Sequence, residues 1–134
     1  MFKKVEHIGI AVKDLKSSDM LFEKLLGKSS YKKEHVESEN VSTSFYQVGE
    51  TKLELLESEN EKSAISKYII KKGEGIHHIA FEVDDINTEL SRLKKEGFQL
   101  INQSPFKGAD NKLVAFIHPK SCHGILVELC QEIK

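Results

Sequence analysis

The sequence predicts an α+β fold built from two βαβββ modules, and three observations carry that prediction. A short pattern occurs twice, as His7-Ile8-Gly9-Ile10-Ala11-Val12-Lys13-Asp14 and as His78-Ile79-Ala80-Phe81-Glu82-Val83-Asp84-Asp85, with His, Ile, Val and Asp in register. Each copy is followed by a strand-like triplet with a central acid, Leu53-Glu54-Leu55 and Val127-Glu128-Leu129. Between these landmarks each half carries one segment of helical period and several of strand period. At 134 residues the chain is long enough for one compact core and too short for two. The expected organisation is one domain, with module one at about residues 1–57, a connecting helix at about 58–75 and module two at about 76–134.

The first strand alternates, with Ile8, Ile10 and Val12 on one face and Val5, His7, Gly9 and Ala11 on the other. The second copy repeats this, setting Ile79, Phe81 and Val83 against Ile76, His78, Ala80 and Glu82. Both histidines therefore lie opposite the bulky row. Residues 14–26 read as a helix through Met20, Leu21, Leu25 and Leu26 and stop at Gly27; residues 85–96 do so through Ile86, Leu90 and Leu93 and stop at Gly97. Asp14 and Asp85 are the expected N-caps, because a short carboxylate accepts from the free amides of a first turn. Strands follow at 30–36, 42–48 and 51–56, with Gly49-Glu50 as a hairpin turn, and at 99–104, 113–118 and 124–130, with residues 119–123 as a loop. The segment between the modules holds Ile65, Tyr68, Ile69 and Ile70, which predicts a helix.

The net charge of −1 carries no basic excess of the kind nucleic acid demands. No stretch of about 18 apolar residues suggests a membrane span, and the opening Met1-Phe2-Lys3-Lys4 runs into a strand without a signal core. The expectation is a cytoplasmic protein that binds neither membrane nor nucleic acid. Two cysteines, Cys122 and Cys130, make no disulfide framework and are expected as thiols.

One His in a strand is ordinarily a packed or solvated residue, and a Glu between leucines is ordinarily the wet side of a strand. Recurrence of both at equivalent places in two half-domains changes that reading. If the halves pack about a pseudo-twofold axis, His7, Glu54, His78 and Glu128 converge. Two neutral imidazoles and two carboxylates balance a divalent cation, suit Zn, Mn, Co, Ni or Mg, and leave a coordination position open for catalysis. His77 alternates onto the apolar face and is expected to pack; His35, His118 and His123 are expected in loops or at an edge.

These residues resemble the vicinal oxygen chelate (glyoxalase/bleomycin resistance/dioxygenase) superfamily and, within it, the methylmalonyl-CoA epimerases. The resemblance spans nearly the whole chain. It rests on His7-Ile8-Gly9-Ile10-Ala11-Val12, on Thr51-Lys52-Leu53-Glu54-Leu55-Leu56-Glu57, on the double histidine in Gly75-Ile76-His77-His78, on Phe116-Ile117-His118-Pro119-Lys120, and on Gly124-Ile125-Leu126-Val127-Glu128-Leu129. It implies a half-barrel mixed sheet around a divalent metal, in a homodimer, with His7, His78, Glu128 and Glu54 as ligands. The implied reaction interconverts (R)- and (S)-methylmalonyl-CoA by removing the C2 proton through a metal-stabilised enolate, with Glu128 as one acid–base group. The sequence departs from the pattern at the second. The family often has a Glu shortly before the third strand, and aligned on Val41 that position is Ser38 here; Glu37 and Glu39 flank it as the candidates, and another family carboxylate position is Thr43. Lys112 and Lys120 are the cations considered for the CoA phosphates. The alternative activity is a lactoylglutathione lyase of glyoxalase I type or a related metal-dependent lyase; an extradiol dioxygenase and a non-catalytic small-molecule binding protein are weaker readings.

Overall fold

A computed structural model describes residues 1–134. The strands are β1 (Phe2–Val12), β2 (Lys32–Val36), β3 (Val41–Val48), β4 (Thr51–Ser58), β5 (Gly75–Val83), β6 (Phe106–Lys107), β7 (Lys112–Ile117) and β8 (Val127–Glu132). The helices are α1 (Leu15–Leu26), α2 (Ala64–Lys72) and α3 (Ile86–Lys95), and 3-10 turns occupy Glu37–Glu39, Ala109–Asn111 and Pro119–Cys122. The chain forms two compact units, one of Met1–His7 with His78–Lys134 and one of Ile8–His77. The start of β1 thus belongs with the second half of the sequence. The reason is strand pairing: Asp84 N donates to Met1 O at 3.2 Å, Phe2 packs on Phe81 with ring centroids 5.3 Å apart, and Lys3 Nζ lies 3.4 Å from Glu82.

In the Ile8–His77 unit the strands are ordered β2-β3-β4-β1. The antiparallel pairing of β3 and β4 runs from Val41↔Ser58 to Val48↔Thr51, which leaves Gly49-Glu50 as a two-residue turn as expected. Gly49 takes φ +62°, a left-handed value that glycine adopts without steric cost. Asp14 caps α1 by accepting from Ser17 N at 3.1 Å, and Gly27 ends it at φ +72°. The buried stripe of α1 differs from the expected one. Leu15, Phe22 and Leu26 pack with Val12, Tyr46 and Leu55, whereas Met20, Leu21 and Leu25 stay exposed. Positions 15, 19, 22 and 26 form one helical row, and the polar member, buried Asp19, accepts from Tyr46 Oη at 2.6 Å and Ser44 Oγ at 2.7 Å. A carboxylate thereby ties α1 to β3 where an apolar residue was the default.

In the other unit the order is β1-β5-β8-β7-β6. β5 and β8 run parallel, Ile79↔Val127 to Glu82↔Cys130, and β7 pairs antiparallel with β6 and β8, so the pairing is mixed. One face of these strands is covered by α3, which is capped by Asp85 accepting from Thr88 N at 3.3 Å. Its core is Val83, Ile86, Leu90, Leu93, Leu100, Ala115, Ile117 and Leu129.

Two predicted strands change. Residues 99–104 form no strand; only Leu100 bridges to Ile117, and Asn102 Oδ1 accepts from Phe116 N at 2.9 Å where a ladder carbonyl would stand. A side-chain acceptor competes with the backbone here, and β6 begins only after Pro105. β8 likewise begins at Val127 rather than 124, because the chain turns tightly first, with Gly124 N donating to Pro119 O at 2.8 Å. Gly108 is required for space: a Cβ there would lie 2.8 Å from Val114 Cγ2.

Leu129→Ala removes a fully buried side chain from the α3-facing core and should cost about 2–5 kcal/mol. Leu25→Ala, on an exposed helical face, should stay within about 0.5 kcal/mol. Urea unfolding midpoints at unchanged m-value measure both.

Candidate metal centre

Strand parity divides the Met1–His7/His78–Lys134 unit into a packing face and a polar face. Phe81 and Val83 of β5, Val127 and Leu129 of β8, and Leu113, Ala115 and Ile117 of β7 belong to the α3-facing core. The residues between them, His78, Ala80 and Glu82, then Glu128 and Cys130, then Val114 and Phe116, therefore share the opposite face. Register aligns them, since Glu128 is partnered by Ala80 on β5 and by Phe116 on β7.

The start of β1 completes the cluster. Asp84 meets Met1, Glu82 meets Lys3, and His78 meets His7, so the partner number falls as β1 advances and the two strands are antiparallel. His7 Nε2 lies 3.1 Å from His78 Nε2, with the rings edge to face at 87°. Glu128 Oε1 lies 3.1 Å from His78 Nε2 and 3.6 Å from His7 Nε2. All three residues are buried, and Phe116 presents its ring edge-on to His78 at 5.9 Å.

These donors fit a divalent cation. Metal–nitrogen and metal–oxygen bonds of about 2.0–2.2 Å place neighbouring donors about 3.0 Å apart at a right angle and about 3.4 Å apart at a tetrahedral angle. The three separations in the protein fall around those values. Two converging imidazole lone pairs repel one another unless a proton or a cation lies between them, and a carboxylate beside them favours positive charge. Burial pushes the Glu128 carboxyl up, but His7 and His78 in their protonated forms beside it outweigh that and hold the group well below the usual carboxylate range. Glu128 is therefore an anion throughout the neutral range.

The remaining candidates fall in different places. Glu54 lies on β4 in the Ile8–His77 unit, opposite Phe45; its neighbours Leu53 and Leu55 pack in the core that α1 covers, so Glu54 points to the other face, and it is buried. Glu37 and Glu39 sit in a 3-10 turn rather than on a strand, closed by Asn40 at φ +55° with Asn40 N donating to Glu37 O at 3.1 Å. Strand alternation does not govern them; Glu37 is exposed and Glu39 half-buried. Thr43 is buried and its hydroxyl donates to Glu34 O at 3.2 Å. His77 packs edge-on against Tyr68 at 5.0 Å, as expected of a packing residue. His35 lies on β2 with Nδ1 2.7 Å from Glu59, His118 accepts from Lys120 N at 3.0 Å, and His123 is exposed.

Lys112 is no free surface cation: it is buried, with Nζ 3.6 Å from Glu132. Lys120 is exposed. Cys130, fully buried, donates weakly to Phe81 O at 3.5 Å; burial first, and then the charges of Glu128 and Glu6, push its thiol far up. Sequence reasoning missed two residues of this centre. Phe116 was legible only as part of a motif. Glu6, buried with Oε1 3.0 Å from His7 Nδ1, was hidden by the parity rule that separates adjacent residues on a strand.

Comparison with known proteins agrees with this arrangement. Residues 6–116 match the model of the glyoxalase/bleomycin resistance protein/dioxygenase superfamily. The human mitochondrial methylmalonyl-CoA epimerase is 37% identical over 96% of this chain and 73% of its own length. An ethylmalonyl-CoA/methylmalonyl-CoA epimerase of Cereibacter sphaeroides is 36% identical over 98% of this chain and 99% of its own. The structure of Streptomyces coelicolor methylmalonyl-CoA epimerase in complex with 2-nitronate-propionyl-CoA superimposes with a TM-score of 0.92 at 30% identity, covering 98% of this chain and 96% of that one. A buried two-histidine, one-carboxylate donor set, on a chain matched end to end by these relatives, leads to one assignment: the chain belongs to the glyoxalase/bleomycin resistance/dioxygenase superfamily and, within it, to the methylmalonyl-CoA epimerase family.

Proposed function

We propose that the protein is an isomerase that interconverts (R)- and (S)-methylmalonyl-CoA by moving the C2 proton. The observation that carries the reading is the convergence of His7 Nε2, His78 Nε2 and Glu128 Oε1 within 3.6 Å of one another in a buried cluster. Glu54 is the proposed fourth ligand, supported by its burial and by its equivalence to Glu128 in the internal repeat. With it, two neutral imidazoles and two carboxylates offset a 2+ charge. Such N/O ligands accept Co, Mn, Zn, Ni or Mg, and availability selects among them. When bound, the cation supplies Lewis acidity that stabilises negative charge growing on the thioester oxygen.

The chain's own residues move the proton. Glu128, held as a carboxylate by the two imidazoles, is a base beside the substrate. Inversion needs a second group on the opposite side of C2, within hydrogen-bond reach. Glu39 and Glu37 are proposed for that role, with Glu39 first because it is the less exposed. Phe116 lines the polar face next to His78.

The resemblance supports a homodimer and a single domain of 1–134. Two free thiols support a cytoplasmic location, and no helix is long and apolar enough to cross a membrane.

Metal-loaded protein in deuterium oxide should wash deuterium into C2 of methylmalonyl-CoA and interconvert its epimers, with the lactoylglutathione hemithioacetal turned over far more slowly; neither exchange nor interconversion would sink the assignment. His78→Ala should lower the bound metal measured after dialysis to a small fraction of one equivalent per chain. Glu39→Gln, or Glu37→Gln if Glu37 is the carrier, should slow epimerisation by roughly 10²–10⁴-fold while exchange from one epimer persists, since one of two proton carriers remains. Both variants at wild-type rates would remove these carboxylates from the mechanism.

A further inference from the structure

We infer that Glu6 is a positioning residue of the metal centre: its carboxylate fixes the His7 ring so that Nε2 presents a bare lone pair to the cation. The inference rests on the metal-binding reading above and extends it to a residue outside the ligand set. Glu6 Oε1 lies 3.0 Å from His7 Nδ1. With Glu6 as a carboxylate, which only accepts hydrogen bonds, the 3.0 Å contact puts the proton on Nδ1. In a neutral imidazole the other nitrogen then has none. That other nitrogen is the one facing His78 Nε2 at 3.1 Å and Glu128 Oε1 at 3.6 Å.

At 1% exposure Glu6 is among the largest fully buried side chains, in a strand where Val5 and Ile8 show that apolar residues fit nearby. Burying a carboxylate costs several kcal/mol unless it is paired. Adjacent strand residues point to opposite faces, yet this side chain folds back onto its neighbour's ring. Ligating histidines commonly donate their second N–H to a carboxylate, and losing that partner weakens metal binding by about 10–100-fold.

The test uses the full chain and two readouts, neither of them activity. In metal-free protein labelled with ¹⁵N-histidine, at a pH where imidazoles are neutral, His7 should show a protonated Nδ1 and an unprotonated Nε2. Glu6→Ala should mix the tautomers. In chelator competition with Co²⁺ or Mn²⁺, Glu6→Ala should raise the metal Kd about 10–100-fold, and Glu6→Gln, which retains an oxygen acceptor without its charge, should fall between. Thermal melting reports whether each variant folds; if Glu6→Ala does not, the wild-type tautomer and the Glu6→Gln affinity decide. His7 protonated at Nε2 in the wild type, or variants whose Kd stays within about twofold of wild type where about 10–100-fold is expected, overturn the inference. Failure of the metal reading itself looks different, as a wild type that takes up no cation while His7 keeps its proton on Nδ1.

Discussion

The antiparallel pairing of the first strand with β5 is the constraint on which the rest of the centre depends. It brings the N-terminal residues into the unit formed by residues 78–134 and sets His7 opposite His78. A slip of one residue would turn one histidine to the α3-facing side. Register is held by contacts outside the centre: the Asp84–Met1 backbone bond, the Lys3–Glu82 ion pair and the packing of Phe2 on Phe81. β8 then adds Glu128 from a parallel neighbour, aligned with Ala80. Three donors from three strands meet because each strand keeps the same parity.

The two faces of these strands follow opposite rules. Against α3, the core of Val83, Ile86, Leu90, Leu93, Ala115, Ile117 and Leu129 is wholly apolar and needs no specific partners. On the other face His7, His78, Lys112 and Glu128 are all buried, and each depends on a partner. An apolar face of the same area would be easier to stabilise, because burying ionisable groups costs more than their pairing usually returns. Such local conflict between folding and composition is what a functional site imposes on its scaffold.

Much of this was legible in the sequence, for identifiable reasons. The repeat announced equivalent strands, and period-two alternation placed both histidines away from the packing rows. Asp14, Asp85 and Gly27 marked helix ends because caps are local chemistry. What failed involved tertiary competition. The α1 stripe was misread because Asp19, buried by its bonds to Tyr46 and Ser44, occupies a position that looks solvent-facing. Residues 99–104 looked like a strand, but Asn102 takes the Phe116 amide. The stretch around Glu37 and Glu39 is a 3-10 turn, and residues two apart would share a face even on a strand, so parity could not choose between them. Glu6 was concealed by the alternation rule that revealed His7.

The central claim is that both repeat histidines bind one divalent cation through their Nε2 atoms. X-ray absorption of the protein loaded with one equivalent of Co²⁺ or Zn²⁺ tests it most directly. The account predicts two imidazole scatterers at about 2.0–2.1 Å with oxygen completing the shell, falling to one imidazole in His7→Ala. An all-oxygen shell, or two imidazoles that survive His7→Ala, would contradict it.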